Sequence, residues 1–91
     1  MEITYDQSKN AKNIQERNIS FEEVAEFDFE TAKFSIDVRK NYGELRRRAI
    51  GFLNTRLHAL VFLETTKGIR VISFRKANKR EIEKYEQQAQ D

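Results

Sequence analysis

The sequence predicts a single α+β domain in which a small antiparallel β-sheet carries two N-terminal helices and one C-terminal helix. Three observations lead there. The chain has 91 residues, enough to fill one hydrophobic core and too few for two. Its apolar residues alternate with period two through the middle of the chain, as half-buried strands do. Helix-start signals stand at residues 6, 20 and 78, outside that region.

Glu2 to Tyr5 alternates polar and apolar residues and reads as a first strand. Asp6 can then cap a helix that turns Ala11 and Ile14 inward and ends near Asn18. Ser20-Phe21-Glu22-Glu23 is a capping box, with Ile19 and Val24 as its hydrophobic staple, opening a second helix that runs to about Phe27. Ala32 to Val38 alternates with Phe34, Ile36 and Val38 on one face, and Asn41-Tyr42-Gly43 turns the chain. Phe27, Phe29 and Phe34 are assigned to the core rather than to a partner surface. Three strands follow at hairpin spacing: Leu45 to Leu53, Arg56 to Glu64 and Ile69 to Arg75, turned at Asn54-Thr55 and through Thr65 to Gly68. In the last of these Ile69, Val71, Ser73 and Arg75 alternate with Arg70, Ile72 and Phe74. Asn78 with Glu81 repeats the capping logic for a last helix that presents Ile82 and Tyr85 and frays near Asp91.

Composition narrows the chemistry. Cysteine is absent and histidine occurs once, which removes disulfides, thiol nucleophiles and zinc-thiolate sites and predicts no metal and no cofactor. The start of the chain lacks a basic head followed by an apolar stretch, and no run of 18 apolar residues occurs. The expectation is a cytoplasmic protein with no membrane contact. Net charge is only +2, but residues 1–30 hold three basic and eight acidic side chains whereas 31–91 hold fourteen and seven. A basic part of that kind steers a polyanion, or an acidic protein, to one side of a molecule.

Candidate site residues follow from this asymmetry. Arg46 and Arg48 share a strand face with Ile50 and Phe52. Arg56, His58 and Glu64 share one with Leu60 and Phe62. The segment from Arg75 through Lys76 and Lys79 to Arg80 sets four cations at a strand-to-helix junction. It reads either as a phosphate cradle aided by the helix amides or as a solvated basic rim. His58 is the one side chain of the type that exchanges protons near neutrality. A histidine in mid-strand also serves packing, and Glu64, Tyr85 or a lysine could carry protons in its place.

Tyr5-Asp6, Phe21-Glu22-Glu23, Glu44-Leu45-Arg46-Arg47-Arg48-Ala49-Ile50-Gly51 and the block from Arg70 to Tyr85 resemble the BrnT toxin pattern in order and spacing. The resemblance covers nearly the whole chain. It implies a RelE-like fold, metal-independent endonucleolytic cleavage of RNA that inhibits translation, and neutralisation by a DNA-binding BrnA-type antitoxin, in a heteromeric complex or beside a homodimer. On that reading Arg46 and Arg75 bind the scissile phosphate and its transition state. Arg48, Arg56, Arg70, Lys76, Lys79 and Arg80 contact RNA, and Glu64, His58 or Tyr85 transfers protons. The pattern departs at Glu16-Arg17-Asn18, where the family has Lys-His-Gly, and at Phe74, where it has Ala. A non-catalytic RNA-binding or corepressor module of the same fold is the competing expectation.

Overall fold

The computed structural model describes residues 1–89. Five strands form one sheet in the order β1-β5-β4-β3-β2, from β1 (Glu2–Thr4), β2 (Lys33–Ile36), β3 (Arg47–Leu53), β4 (Arg56–Glu64) and β5 (Gly68–Lys76). β2 to β5 make the expected antiparallel meander. The sheet is nevertheless mixed, because β1 lies parallel to β5 with Ile3 opposite Ile69. Helix α1 (Gln7–Arg17) and a 3₁₀ helix (Phe21–Glu26) connect β1 to β2, and helix α2 (Lys79–Ala89) follows β5. The predicted fraying near Asp91 lies outside the described residues. Among the described residues no helix is long and apolar enough to cross a membrane.

Local sequence rules account for the element ends. The Asp6 carboxylate accepts from Lys9 N, and Asn18 closes α1 in the left-handed conformation at φ 59°. The Asn54 turn between β3 and β4 uses the same conformation, at φ 57°. The Ser20/Glu23 capping box forms, but the segment winds as 3₁₀ rather than α. Six residues are too few to sustain an α-helix alone, and the tighter winding stacks residues three apart. Phe21, Val24 and Phe27 are so spaced, and all three are buried.

The main core lies between the sheet and this 3₁₀ helix, built from Val24, Phe27, Leu60, Phe62, Ile69, Val71 and Phe74 with their neighbours. A smaller cluster of Leu57, Ala77 and Tyr85, backed by Ile50, Phe52 and Ile82, lies on the opposite face under α2. The helices therefore flank both faces of the sheet. The alternation of β5 is broken by a bulge: Val61 pairs with Ser73 and Phe62 with Val71, leaving Ile72 extra. Ile69 and Val71 thereby join Phe74 in the main core, while Ser73 and Arg75 stay on the α2 face.

Two packing expectations are corrected. Ala11 and Ile14 point to solvent, and α1 is held by asparagines instead. Asn10 Oδ1 accepts from Phe21 N at 2.7 Å, and Asn13 Nδ2 donates to Ile19 O at 2.9 Å and Phe74 O at 3.0 Å. These side chains satisfy backbone groups that the loop before the 3₁₀ helix and the end of β5 leave unpaired, which apolar side chains could not do. Phe34 is the second correction: Phe27 is buried and Phe29 packs on the core, but Phe34 is 52% exposed. The 3₁₀ helix packs mainly over β1, β3 and β5 rather than over β2.

Gly68 marks where β1 meets β5. A Cβ there would lie 2.0 Å from Glu2 O and 2.5 Å from Glu2 N, both backbone atoms. Gly68→Ala is therefore expected to push β1 off the sheet and cost about 1–3 kcal/mol, seen as a lower denaturation midpoint together with faster amide exchange in residues 2–4.

Candidate RNA-binding grooves

On the α2 face the sequence places a carboxylate among arginines. Arg48 in β3 and Arg75 in β5 lie on that face, and both reach Glu81 in the first turn of α2. Arg75 Nη1 donates to Glu81 Oε1 at 2.8 Å and Nη2 to Oε2 at 3.0 Å, while Arg48 Nη2 bonds Oε2. Asn78 N donates to Oε1 at 2.9 Å and Asn78 Oδ1 accepts from Glu81 N at 2.9 Å, so the same carboxylate completes the predicted helix cap. The Arg75 guanidinium, the Asn78 amide and the Arg48 guanidinium hold the buried Glu81 carboxyl at about 2, against the opposing effect of burial. Beside this cluster a groove of about 180 Å³ opens between β2 and α2. Lys33, Arg48, Arg80 and Lys84 line it with Glu81.

A second groove, of about 360 Å³, lies on the other face at the β3–β4 turn. Arg17 at the end of α1, Arg56 and His58 of β4 and Lys76 of β5 line it, with Glu23 the one carboxylate among its lining residues. His58 and Lys76 are cross-strand partners, so their side chains leave the sheet together. His58 is 4% exposed, its ring tilted on Phe74 with centroids 5.3 Å apart. Its Nδ1 lies 2.9 Å from Arg56 O. A carbonyl oxygen only accepts, so Nδ1 carries the proton, and in the uncharged form of an imidazole so held the lone pair is on Nε2. Among the described residues no buried side-chain nitrogen or oxygen lacks a partner, which leaves the unbonded Nε2 facing the groove. The imidazole is thus fixed in orientation and tautomer with one open nitrogen.

The predicted site residues divide between the two faces. Arg75, Arg48, Arg80 and Tyr85 belong to the α2 side, and His58, Arg56 and Lys76 to the other. Arg46 stands outside both grooves, stacked 3.8 Å from the Tyr42 ring centroid and bonded to Glu44 at 3.0 Å. Glu64 pairs with Arg47 at 2.8 Å, six residues from His58 and so about 20 Å along the strand. Arg70 is exposed opposite Thr4 at the β1 side, and Lys79 is exposed at the start of α2. Tyr85 is buried edge-on against Phe52, and its hydroxyl donates to Thr31 O at 3.0 Å. That makes it a brace between α2 and the segment before β2. Tyr85→Phe is accordingly expected to lower stability by about 1 kcal/mol without changing RNA affinity, as checked by urea unfolding and by gel shift.

Sequence reasoning did not place Arg17, Lys33 or Lys84 at a site. For Arg17 a signal existed, since it marks the departure from the family pattern. Lys33 and Lys84 have no local signature and become neighbours only through the packing of α2 on the sheet.

The fold and its grooves describe a small α+β domain that offers clustered cations to a polyanion on both faces of one sheet. The family model described as the ribonuclease toxin BrnT of type II toxin-antitoxin systems matches residues 5–81. The chain belongs to this family. No curated protein sequence matches it. Membership gives it the class of a ribonuclease toxin, with RNA as substrate and an antitoxin protein as partner.

Proposed function

We propose that the protein is a metal-independent endoribonuclease that cleaves RNA through the substrate's own 2′-hydroxyl, and that the His58 groove is where it does so. The observation that carries this is His58 itself, held by Nδ1 with Nε2 open among Arg17, Arg56 and Lys76. The reaction needs a base for the 2′-hydroxyl proton, cations for the charge developing on phosphorus and a donor for the leaving oxygen. His58 Nε2 takes the proton as the 2′-oxygen bonds to phosphorus. Arg17 and Arg56 bind the non-bridging oxygens. The Lys76 ammonium protonates the 5′-oxygen as its bond to phosphorus breaks, leaving a 2′,3′-cyclic phosphate and a 5′-hydroxyl. The α2-face groove, where Arg48 is already bonded to Glu81, takes no part in the chemistry. Neutralisation by a BrnA-type antitoxin in a heteromeric complex belongs to the same reading, as does a RelE-like fold.

Incubation with a mixed RNA in EDTA tests it, with fragment ends analysed for cyclic phosphate. Fragments bearing those ends support the reading, and intact RNA with folded protein removes it. One observation favours a second reading, an RNA-binding or corepressor role without cleavage: Arg17 stands in the groove where the family pattern has a histidine. That reading requires RNA affinity that falls steeply with salt and no fragments.

A further inference from the structure

Among the described residues β2 is an outer strand and pairs with β3 alone. In an antiparallel ladder alternate residues turn their backbone groups to the same neighbour. Asp37 N donates to Arg46 O across this ladder at 2.8 Å, so residues 33, 35 and 37 face β3. The N–H and C=O groups of Phe34 and Ile36 point outward, away from the sheet. Phe34 and Ile36 are 52% and 41% exposed, and Val38 and Leu45, at the strand ends nearby in sequence, are exposed as well. Among the described residues these four make up most of the exposed large hydrophobics. A free apolar edge is a template for another strand, and a protein that keeps one has a use for it.

Charge selects the occupant. Residues 33–48 hold six cations and two carboxylates, so a second copy paired edge to edge would set that excess against itself. Lys33 and Ser35 also open onto the α2-face groove, where Arg80 and Lys84 add cations. A strand laid along β2 would alternate its side chains between the two faces, one set meeting Phe34 and Ile36, the other meeting Lys33 and Lys84.

We infer that β2 receives an extended segment of the antitoxin as a sixth strand, one in which apolar residues alternate with Asp or Glu. The partner's identity rests on the ribonuclease-toxin reading, whereas the edge and its chemistry do not. The lining of the α2-face groove shares no residue with that of the His58 groove, so the strand holds the toxin without touching His58.

The probe is a synthetic ten-residue peptide alternating Leu and Glu, compared with a scrambled peptide of the same composition and with a Leu/Lys version. The alternating acidic peptide is expected to bind, and to slow amide exchange at Phe34 and Ile36. The double substitution Ile36→Glu, Val38→Glu, at exposed positions, is expected to weaken binding by about tenfold or more while leaving the fold, read by circular dichroism, intact. Equal binding of the scrambled or lysine peptide, or no protection at Phe34 and Ile36, overturns the inference. So does protection of those amides by RNA, or by dimerisation of the toxin alone. RNA cleavage is assayed on the same protein: peptide binding as described with no cleavage leaves the edge assignment standing and removes the ribonuclease reading instead.

Discussion

Replacing Glu81 with alanine is expected to destabilise the protein by about 3 kcal/mol. Removing one partner of a buried ion pair costs about 3–5 kcal/mol, because the charges left behind are desolvated without compensation. Glu81 is 7% exposed on its side chain, but Arg48 and Arg75 are 30% and 28% exposed, so water reaches the orphaned guanidinium groups and the lower end applies. The Asn78 N–H loses its acceptor as well, while the Asn78 side chain still caps the backbone of residue 81. The same carboxylate governs acid stability. Its folded value of about 2 lies below the ordinary 4.5, so its contribution is complete above about pH 4.5 and disappears as pH falls towards 2. Asp37, held at about 2 by Arg39, follows the same sign but contributes less, since Arg39 is 63% exposed. Urea midpoints across pH 2–7 should fall below about 4.5 in the wild type and vary less in Glu81→Gln. A Glu81→Ala protein as stable as the wild type would show the cluster to be a surface ion pair of no consequence.

His58→Gln is expected to lower RNA cleavage by about 10²- to 10⁴-fold, the range a positioned acid or base supplies, while leaving RNA affinity within about threefold. Glutamine keeps a donor that can reach Arg56 O and fills much of the same space beside Phe74, so the fold is retained. The informative quantity is the split between turnover and binding: a purely structural histidine would lose both with the thermal midpoint. Cleavage unchanged in a folded His58→Gln protein would take the base out of this groove.

Much of the fold was legible because its signals are local. Asp6, Ser20 with Glu23, Asn54, and Asn78 with Glu81 each act over a few residues, and each forms the cap or turn its sequence predicts. What was not legible depends on contacts distant in sequence. The parallel pairing of β1 with β5 leaves no mark on a three-residue strand. The bulge at Ile72 changes the phase of β5 without a glycine to announce it. The inward stripe of α1 is polar, Asn10 and Asn13 rather than Ala11 and Ile14, because what it must satisfy is backbone. The site suffered most from this. Arginines and a histidine were identifiable by type, but whether two of them share a groove depends on which face of the sheet each occupies, and the candidates divide between faces.

The parallel pairing of β1 bears on how the toxin comes into being. Glu2 to Thr4 find their partners only at residues 68–70, a loop closure of some sixty-six residues that the rest of the chain must complete first. During synthesis α1 therefore emerges long before the strands that seat it, and Arg17 waits for Lys76, at the far end of β5, before the two line one groove. Folding that ends with such non-local contacts is slow compared with helix or hairpin formation. A nascent chain still on the ribosome has β2 and β3 available before the His58 groove is assembled. On the assignments proposed above, the order of synthesis puts the partner's strand within reach of the toxin before its cleavage groove is complete.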